Sequence, residues 1–232
     1  KVISNYAVGY DNIDIDAAIE AGIPVTNTPG VLTQSVAEHT AALAVALAKR
    51  VTESDNFTRK GSYKGWEPML LLGTELKGKT FGVVGLGRIG SAVADIMHKG
   101  FGMDIVYFDI KKNKAFEKRL KASFEGVPQL LKKSDIVSIH VPLLDSTHHL
   151  IGARQFRSMK KSALLVNTSR GPVVDEKALV TALKNKTIRG AALDVFEFEP
   201  KLTKGLAKLP NVILTPHTAS ATEEAREAMS LI

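Results

Sequence analysis

The chain has 232 residues, 44% of them hydrophobic, which suffices for one large domain or one and a half smaller ones around a substantial core. It has no cysteine, which excludes a disulfide framework and a thiolate metal site and fits a reducing compartment. The formal charge of +7 raises nucleic-acid binding as an option, but the lysines are scattered in short pairs and only 6% of residues are aromatic, so platforms for base stacking are scarce. A basic surface also draws in an anionic cofactor and an anionic substrate.

Taken in order, apolar strand-like runs alternate with amphipathic helical runs. A strand is expected at Val2–Val8, a short helix at Asp16–Ala21 and a strand at Ile23–Asn27. A long helix begins at Ser35, with Val36, Leu43, Val45 and Leu47 as core candidates, and ends at Arg59-Lys60-Gly61. A loop with Trp66 and Pro68 follows as far as Gly78, and Trp66 suits a substrate mouth, a subunit contact or plain packing. Beyond it, six strands are expected at Thr80–Val84, Asp104–Phe108, Asp135–His140, Ala163–Asn167, Gly190–Leu193 and Val212–Leu214, with helices between them. This alternation is that of an α/β fold with a doubly wound parallel sheet, the Rossmann type of dinucleotide-binding domain. The longest strongly apolar run, Ala41 to Ala48, is too short to span a bilayer, and no secretory signal is visible, so no membrane contact and a cytoplasmic setting are expected. The chain opens on Lys1 and stops inside a helical pattern at Met229-Ser230-Leu231-Ile232, as expected of a piece of a longer protein.

The stretch from Lys79 to Gly90 reads as a buried strand, then G-x-G-x-x-G, then the first turn of a helix. Gly85 permits the tight turn, Gly87 lets a pyrophosphate approach the backbone, and Gly90 lets helix and strand pack closely. The helix N-terminus offers free N–H groups and partial positive charge to phosphates. Asp109 ends the next strand, 19 residues beyond Gly90, close to the roughly 20 expected for a carboxylate that binds the adenine ribose. Its charge repels a 2′-phosphate and favours NAD over NADP, although Lys111 and Lys112 soften that choice.

Ligands of such sheets bind beyond the carboxyl ends of the strands. Arg170 follows one strand, Asp194 to Pro200 follow the next, and His217 follows the last. A guanidinium grips a carboxylate with two prongs and can polarise an adjacent keto oxygen. An imidazole can pass a proton near neutral pH, and a neighbouring carboxylate favours its protonated form and fixes its orientation. Arg170, Glu199 and His217 therefore suit reduction of a 2-oxo acid. Glu197 is a rival for the carboxylate, but the spacing to Pro200 favours Glu199. His98 reads as surface, His39 as part of a helix, and His148-His149 as loop.

The sequence resembles the D-isomer-specific 2-hydroxyacid dehydrogenases. The matching stretches are Gly9 to Asp14, Asn27 to Gly30, Gly85 to Gly90, His140 to Leu143, Val166 to Asp175, Ala192 to Pro200 and Pro216 to Ser220, in the family's order and nearly end to end. The opening and the segment Asn27 to Thr33 look most like the glyoxylate and hydroxypyruvate reductase branch. The resemblance implies that Arg170 binds the substrate carboxylate, completed by backbone N–H groups near Val8 and Gly9. It implies His217 as proton donor, Glu199 as its partner, and Asp194 with Thr168 and Ser169 at the nicotinamide amide. Arg88 and Ile89 would cover the pyrophosphate, and Val141 and Ser220 would border the cofactor. It also implies a homodimer and a division into 1–27 (end of a truncated substrate domain), 28–78 (linking helix and loop), 79–216 (NAD-binding domain) and 217–232 (catalytic loop and start of a returning helix). Two rivals are a dinucleotide-sensing, corepressor-like binding protein and a formate-oxidising cousin. The second places a glutamine where Glu199 stands.

Overall fold

The computed structural model describes all residues 1–232. Seven strands form one wholly parallel sheet: β3 (Thr80–Val84), β4 (Asp104–Phe108), β5 (Ser123–Phe124), β6 (Ile136–Ile139), β7 (Leu164–Asn167), β8 (Gly190–Leu193) and β9 (Val212–Leu214). Their order is β5-β4-β3-β6-β7-β8-β9. The chain therefore runs outward from β3 in one direction, returns, and runs outward from β6 in the other. The switch falls between β3 and β6, where Val84 pairs with Ile139. A crevice at such a point is where open α/β sheets take their ligands.

The strands are apolar on both sides because helices cover both faces, as parallel sheets require. Phe81 and Val83 point into one core layer with α2 (Thr33–Ala48), α4 (Arg88–Phe101) and α5 (Lys114–Leu120). Val84, Val137 and Leu165 point into the other, against α6 (Val127–Lys133), α7 (Ala153–Ser158) and α8 (Glu176–Lys184). Within the first layer α2 lies on α4 and crosses β7 and β8, which brings its N-terminal half over the carboxyl ends of those strands.

Three sequence expectations need correction. The strand expected over Val2–Val8 is only β1 (Ile3–Ser4), paired in parallel with β2 (Val25–Thr26) around α1 (Ile15–Glu20). Beyond Ser4 the chain bends, with Asn5 and Asn27 side chains holding the carbonyls of Gly9 and Val8 at 2.7 and 2.9 Å. The sheet has seven strands, not six, because the two residues of β5 pair with Val106 and Tyr107 at the edge. The long helix is two, α2 and α3 (Val51–Arg59), broken where Arg50 takes a left-handed φ of 56°. No helix is long and apolar enough to cross a membrane. The last helix, α9 (Glu223–Ser230), packs Ala225 and Met229 against Leu32 and Val36 of the α2 start, and Tyr6 donates to the Arg226 carbonyl at 2.5 Å.

Candidate active site

At the switch point, the Gly85–Gly90 turn meets the chain leaving β6. Gly85 has φ 97°, and a β-carbon there would lie 2.7 Å from the His140 carbonyl, so only glycine fits. A β-carbon on Gly90 would come 2.1 Å from the Gly85 oxygen, whereas Gly87 has open space on that side. Gly87 supplies no side-chain cap to α4, and the N–H groups of Arg88, Ile89 and Gly90 donate to nothing in the chain. Those orphan donors and the helix dipole form an anion cradle suited to a pyrophosphate. Asp109 sits at the tip of β4. Its two oxygens accept the Leu86 and Ile110 amides, each at 2.6 Å, and it faces a cleft of about 440 Å³ with Lys111, Lys112 and Lys114 on its rim.

Val141 is half-buried just beyond β6, and its side chain lies beside Gly85. The imidazole of His140 lies with Nε2 2.8 Å from Ser138 Oγ, and burial pushes its pKa down to about 3. Beyond β7, Thr168 Oγ1 meets Thr40 Oγ1 of α2 at 2.8 Å, and Ser169 donates from its amide and hydroxyl to Asn167 Oδ1.

A second cleft, of about 540 Å³, is lined by Arg170, Glu199 and His217 together with Asp11, Leu143 and Lys201. Three strand ends thus deliver a guanidinium, a carboxylate and an imidazole to one place. Arg170 donates Nε to both oxygens of Asp11, at 2.8 and 3.0 Å, and Nη1 to the Ser169 carbonyl at 2.8 Å. Its Nη2 lies against Gly9. The N–H groups of Val8 and Gly9 donate to no acceptor in the chain. His217 Nδ1 stands 3.1 Å from Glu199 Oε2, while Glu199 Oε1 accepts the Phe196 amide at 2.9 Å. Glu197 does not reach His217. It bonds His149 Nε2 at 2.9 Å and the Glu176 amide at 3.0 Å instead.

Asp194 is fully buried at the end of β8. Its Oδ1 accepts the Thr215 hydroxyl at 2.6 Å and the Thr218 amide at 2.9 Å, its Oδ2 accepts the Ala219 amide at 2.8 Å, and its carbonyl accepts the His217 amide at 2.8 Å. Burial pushes this carboxyl up, but His39, with Nε2 3.5 Å from Oδ1, and hydrogen bonds from Thr215, Thr218 and Ala219 outweigh it and hold the group below the usual carboxylate range. The turn hung on Asp194 places His217 at φ 55°, a left-handed conformation that costs a non-glycine residue about 1–2 kcal/mol. Ser220 is half-buried at the end of that turn.

Sequence reasoning missed Asp11, His39 and Thr215. His98, read as a surface residue, is half-buried, with Nδ1 2.8 Å from the Met103 carbonyl. Trp66 is 81% exposed and does not line the cleft of Arg170 and His217.

A doubly wound sheet with a glycine turn, an uncapped helix and a carboxylate on the second strand defines a dinucleotide-binding domain. The profile of the D-isomer specific 2-hydroxyacid dehydrogenase NAD binding domain matches residues 41–219, and the chain belongs to that family. Its cofactor is a nicotinamide dinucleotide. A glyoxylate reductase of Thermococcus litoralis is 52% identical over 99% of this chain and 70% of its own length. A crystal structure of a Thermus thermophilus protein superposes with a TM-score of 0.92 at 46% identity, over 99% of this chain and 72% of that one. An NADPH-dependent glyoxylate/hydroxypyruvate reductase of Sinorhizobium meliloti, solved with NADP and malonate, gives a TM-score of 0.90 at 37% identity, over 99% and 71%.

Proposed function

We propose that the chain is the cofactor-binding part of an NAD-dependent reductase that converts glyoxylate or hydroxypyruvate to the corresponding 2-hydroxy acid, with D specificity where the product is chiral. The observation that carries this reading is the single cleft shared by Arg170, Glu199 and His217. The bound dinucleotide supplies the hydride. Arg88 and Ile89 hold its pyrophosphate through their free amides, Asp109 takes the ribose hydroxyls, and Thr168, Ser169, Val141, Asp194 and Ser220 border the nicotinamide. Arg170 grips the substrate carboxylate with the guanidinium edge left over from Asp11 and Ser169, and the free amides of Val8 and Gly9 complete the cradle. The same positive charge stabilises the oxyanion that develops on the keto carbon's oxygen. His217 donates the proton to that oxygen, and Glu199 holds the ring by Nδ1 so that Nε2 is the nitrogen available to substrate.

Asp109 favours NAD, because a 2′-phosphate beside its carboxylate would be repelled. In the same reading residues 1–27 are the end of a substrate domain, 28–78 are the linking helix and loop, 79–216 bind NAD, and 217–232 are the catalytic loop and the start of a helix returning to the substrate domain. Exposed Tyr63, Trp66 and Met69 on the linking loop support a homodimer contact there. The absence of cysteine supports a reducing, cytoplasmic setting. The test is NADH oxidation by the full-length protein across glyoxylate, hydroxypyruvate and pyruvate. Turnover with the first two supports the reading, and cofactor binding without turnover on any of them supports a dinucleotide sensor instead.

A further inference from the structure

We infer that His39 is a positioning residue for this reaction, acting through Thr215 and Asp194 to hold His217 in its left-handed, cleft-lining conformation. The inference rests on the reading of His217 as the proton carrier. His39 lies on α2 and is not among the residues that line the cleft. Its Nε2 is 3.2 Å from Thr215 Oγ1 and 3.5 Å from Asp194 Oδ1. The Thr215 hydroxyl has one proton, and that proton goes to Asp194 Oδ1 at 2.6 Å. Thr215 Oγ1 is therefore the acceptor towards His39, and the donor is the Nε2–H of the ring. The direction is fixed: imidazole N–H to hydroxyl, hydroxyl to carboxylate.

The carboxylate at the end of this relay does two things at once. Oδ1 takes the Thr218 amide and Oδ2 takes the Ala219 amide, so the orientation of the carboxyl plane sets where both amides stand. His217 is the residue just before them, and its own amide is fixed to the Asp194 carbonyl. A non-glycine residue stays in left-handed backbone only where its surroundings over-determine it. Here the over-determination comes from Asp194, and Asp194 is held from behind by His39 and Thr215. The same face of α2 grips the loop a second time, since Ser35, one helical turn before His39, donates its hydroxyl to the Ala219 carbonyl at 2.9 Å. Without the His39 donor the Thr215 hydroxyl is free to turn away, the carboxyl plane loses its reference, and His217 relaxes to an ordinary backbone conformation that moves its ring off Glu199.

The test compares His39→Leu, His39→Gln and His217→Asn in the full-length protein, reading kcat and KM for glyoxylate and the dissociation constant of NADH. His39→Leu lowers kcat between about tenfold and a hundredfold, the scale expected when a reacting group is misplaced by about 1 Å, and by a larger factor than it weakens NADH binding, which it touches only through Asp194. His39→Gln, whose amide nitrogen can reach the position of Nε2, restores most of the loss. Thr215→Val breaks the same relay from the loop side without changing the helix, and it lowers kcat alike if His39→Leu does not fold. Folded His39→Leu or Thr215→Val protein with unchanged kcat overturns the inference, and so does equal loss in the Leu and Gln variants. An inactive His217→Asn beside a fully active His39→Leu overturns the relay alone. A fully active His217→Asn overturns the reading of His217 on which the relay depends.

Discussion

Arg170 Nη2 occupies the space that a β-carbon on Gly9 would need, and a methyl group there would stand 1.7 Å from it. With Asp11 on Nε and the Ser169 carbonyl on Nη1, the guanidinium is fixed on three sides. Gly9→Ala must therefore push the guanidinium out of its slot while the sheet and the glycine turn stay as they are. A lost charge-assisted hydrogen bond is worth about 1.5–3 kcal/mol, so kcat/KM for the 2-oxo acid falls about ten- to a hundredfold, with unchanged NADH affinity. Steady-state kinetics beside NADH fluorescence titration checks this.

Gly87 and Gly90, two of the three glycines of the phosphate turn, predict opposite phenotypes. Gly90→Ala sets a methyl group 2.1 Å from the Gly85 carbonyl oxygen, a backbone atom that cannot yield without moving the strand. That variant loses stability by roughly 1–3 kcal/mol, as overpacking does. Gly87→Ala meets open space at an extended backbone position, so its melting temperature is unchanged, but its methyl group occupies the approach to the free α4 amides and NADH binding weakens. Thermal melts and NADH titration of the pair separate the two effects.

Much of this arrangement is legible in the sequence, and the parts that are not have physical reasons. Strands buried on both faces write themselves as unbroken apolar runs, so β3, β4, β7, β8 and β9 can be read almost to the residue. The two residues of β5 carry no such run, and their pairing depends on the neighbouring strand. The break at Arg50 has no proline or glycine to announce it, so α2 and α3 read as one helix. Arg170, Glu199 and His217 can be found because each follows a strand. Asp11 and His39 cannot, since each matters only through a partner more than a hundred residues away in the chain. An i,i+4 pairing of Ser35 with His39 on an otherwise apolar helix face is the one signal that could have pointed to the second.

Asp109 predicts a change in cofactor choice. Its carboxylate is fixed by two amides on a rim that otherwise carries Lys111, Lys112 and Lys114. Asp109→Ala removes the only negative charge of that rim and leaves the lysines to attract a phosphate. The ratio of kcat/KM for NADH to that for NADPH falls by about tenfold or more, corresponding to about 1.4 kcal/mol. An unmoved ratio contradicts the role given to this carboxylate.

His140 predicts a loss of stability in mild acid. Its folded pKa is about 3 against an ordinary 6.5, so between those values the unfolded chain binds the extra proton. The stabilising contribution is complete above pH 6.5 and is lost as the pH falls towards 3, at no more than about 1.4 kcal/mol per pH unit. His140→Gln cannot titrate at this position. Urea melts at about pH 7 and about pH 5 therefore show the wild type losing roughly 2 kcal/mol more than the variant. Equal losses contradict a buried neutral ring at this site.

The convergence of Arg170, Glu199 and His217 on one cleft is tested most directly by the turnover of glyoxylate at saturating NADH in full-length protein carrying His217→Asn, compared with the wild type. If His217 hands the proton to the substrate oxygen from its seat on Glu199, kcat falls about a hundredfold or more while the NADH dissociation constant stays the same. A kcat equal to that of the wild type contradicts the account.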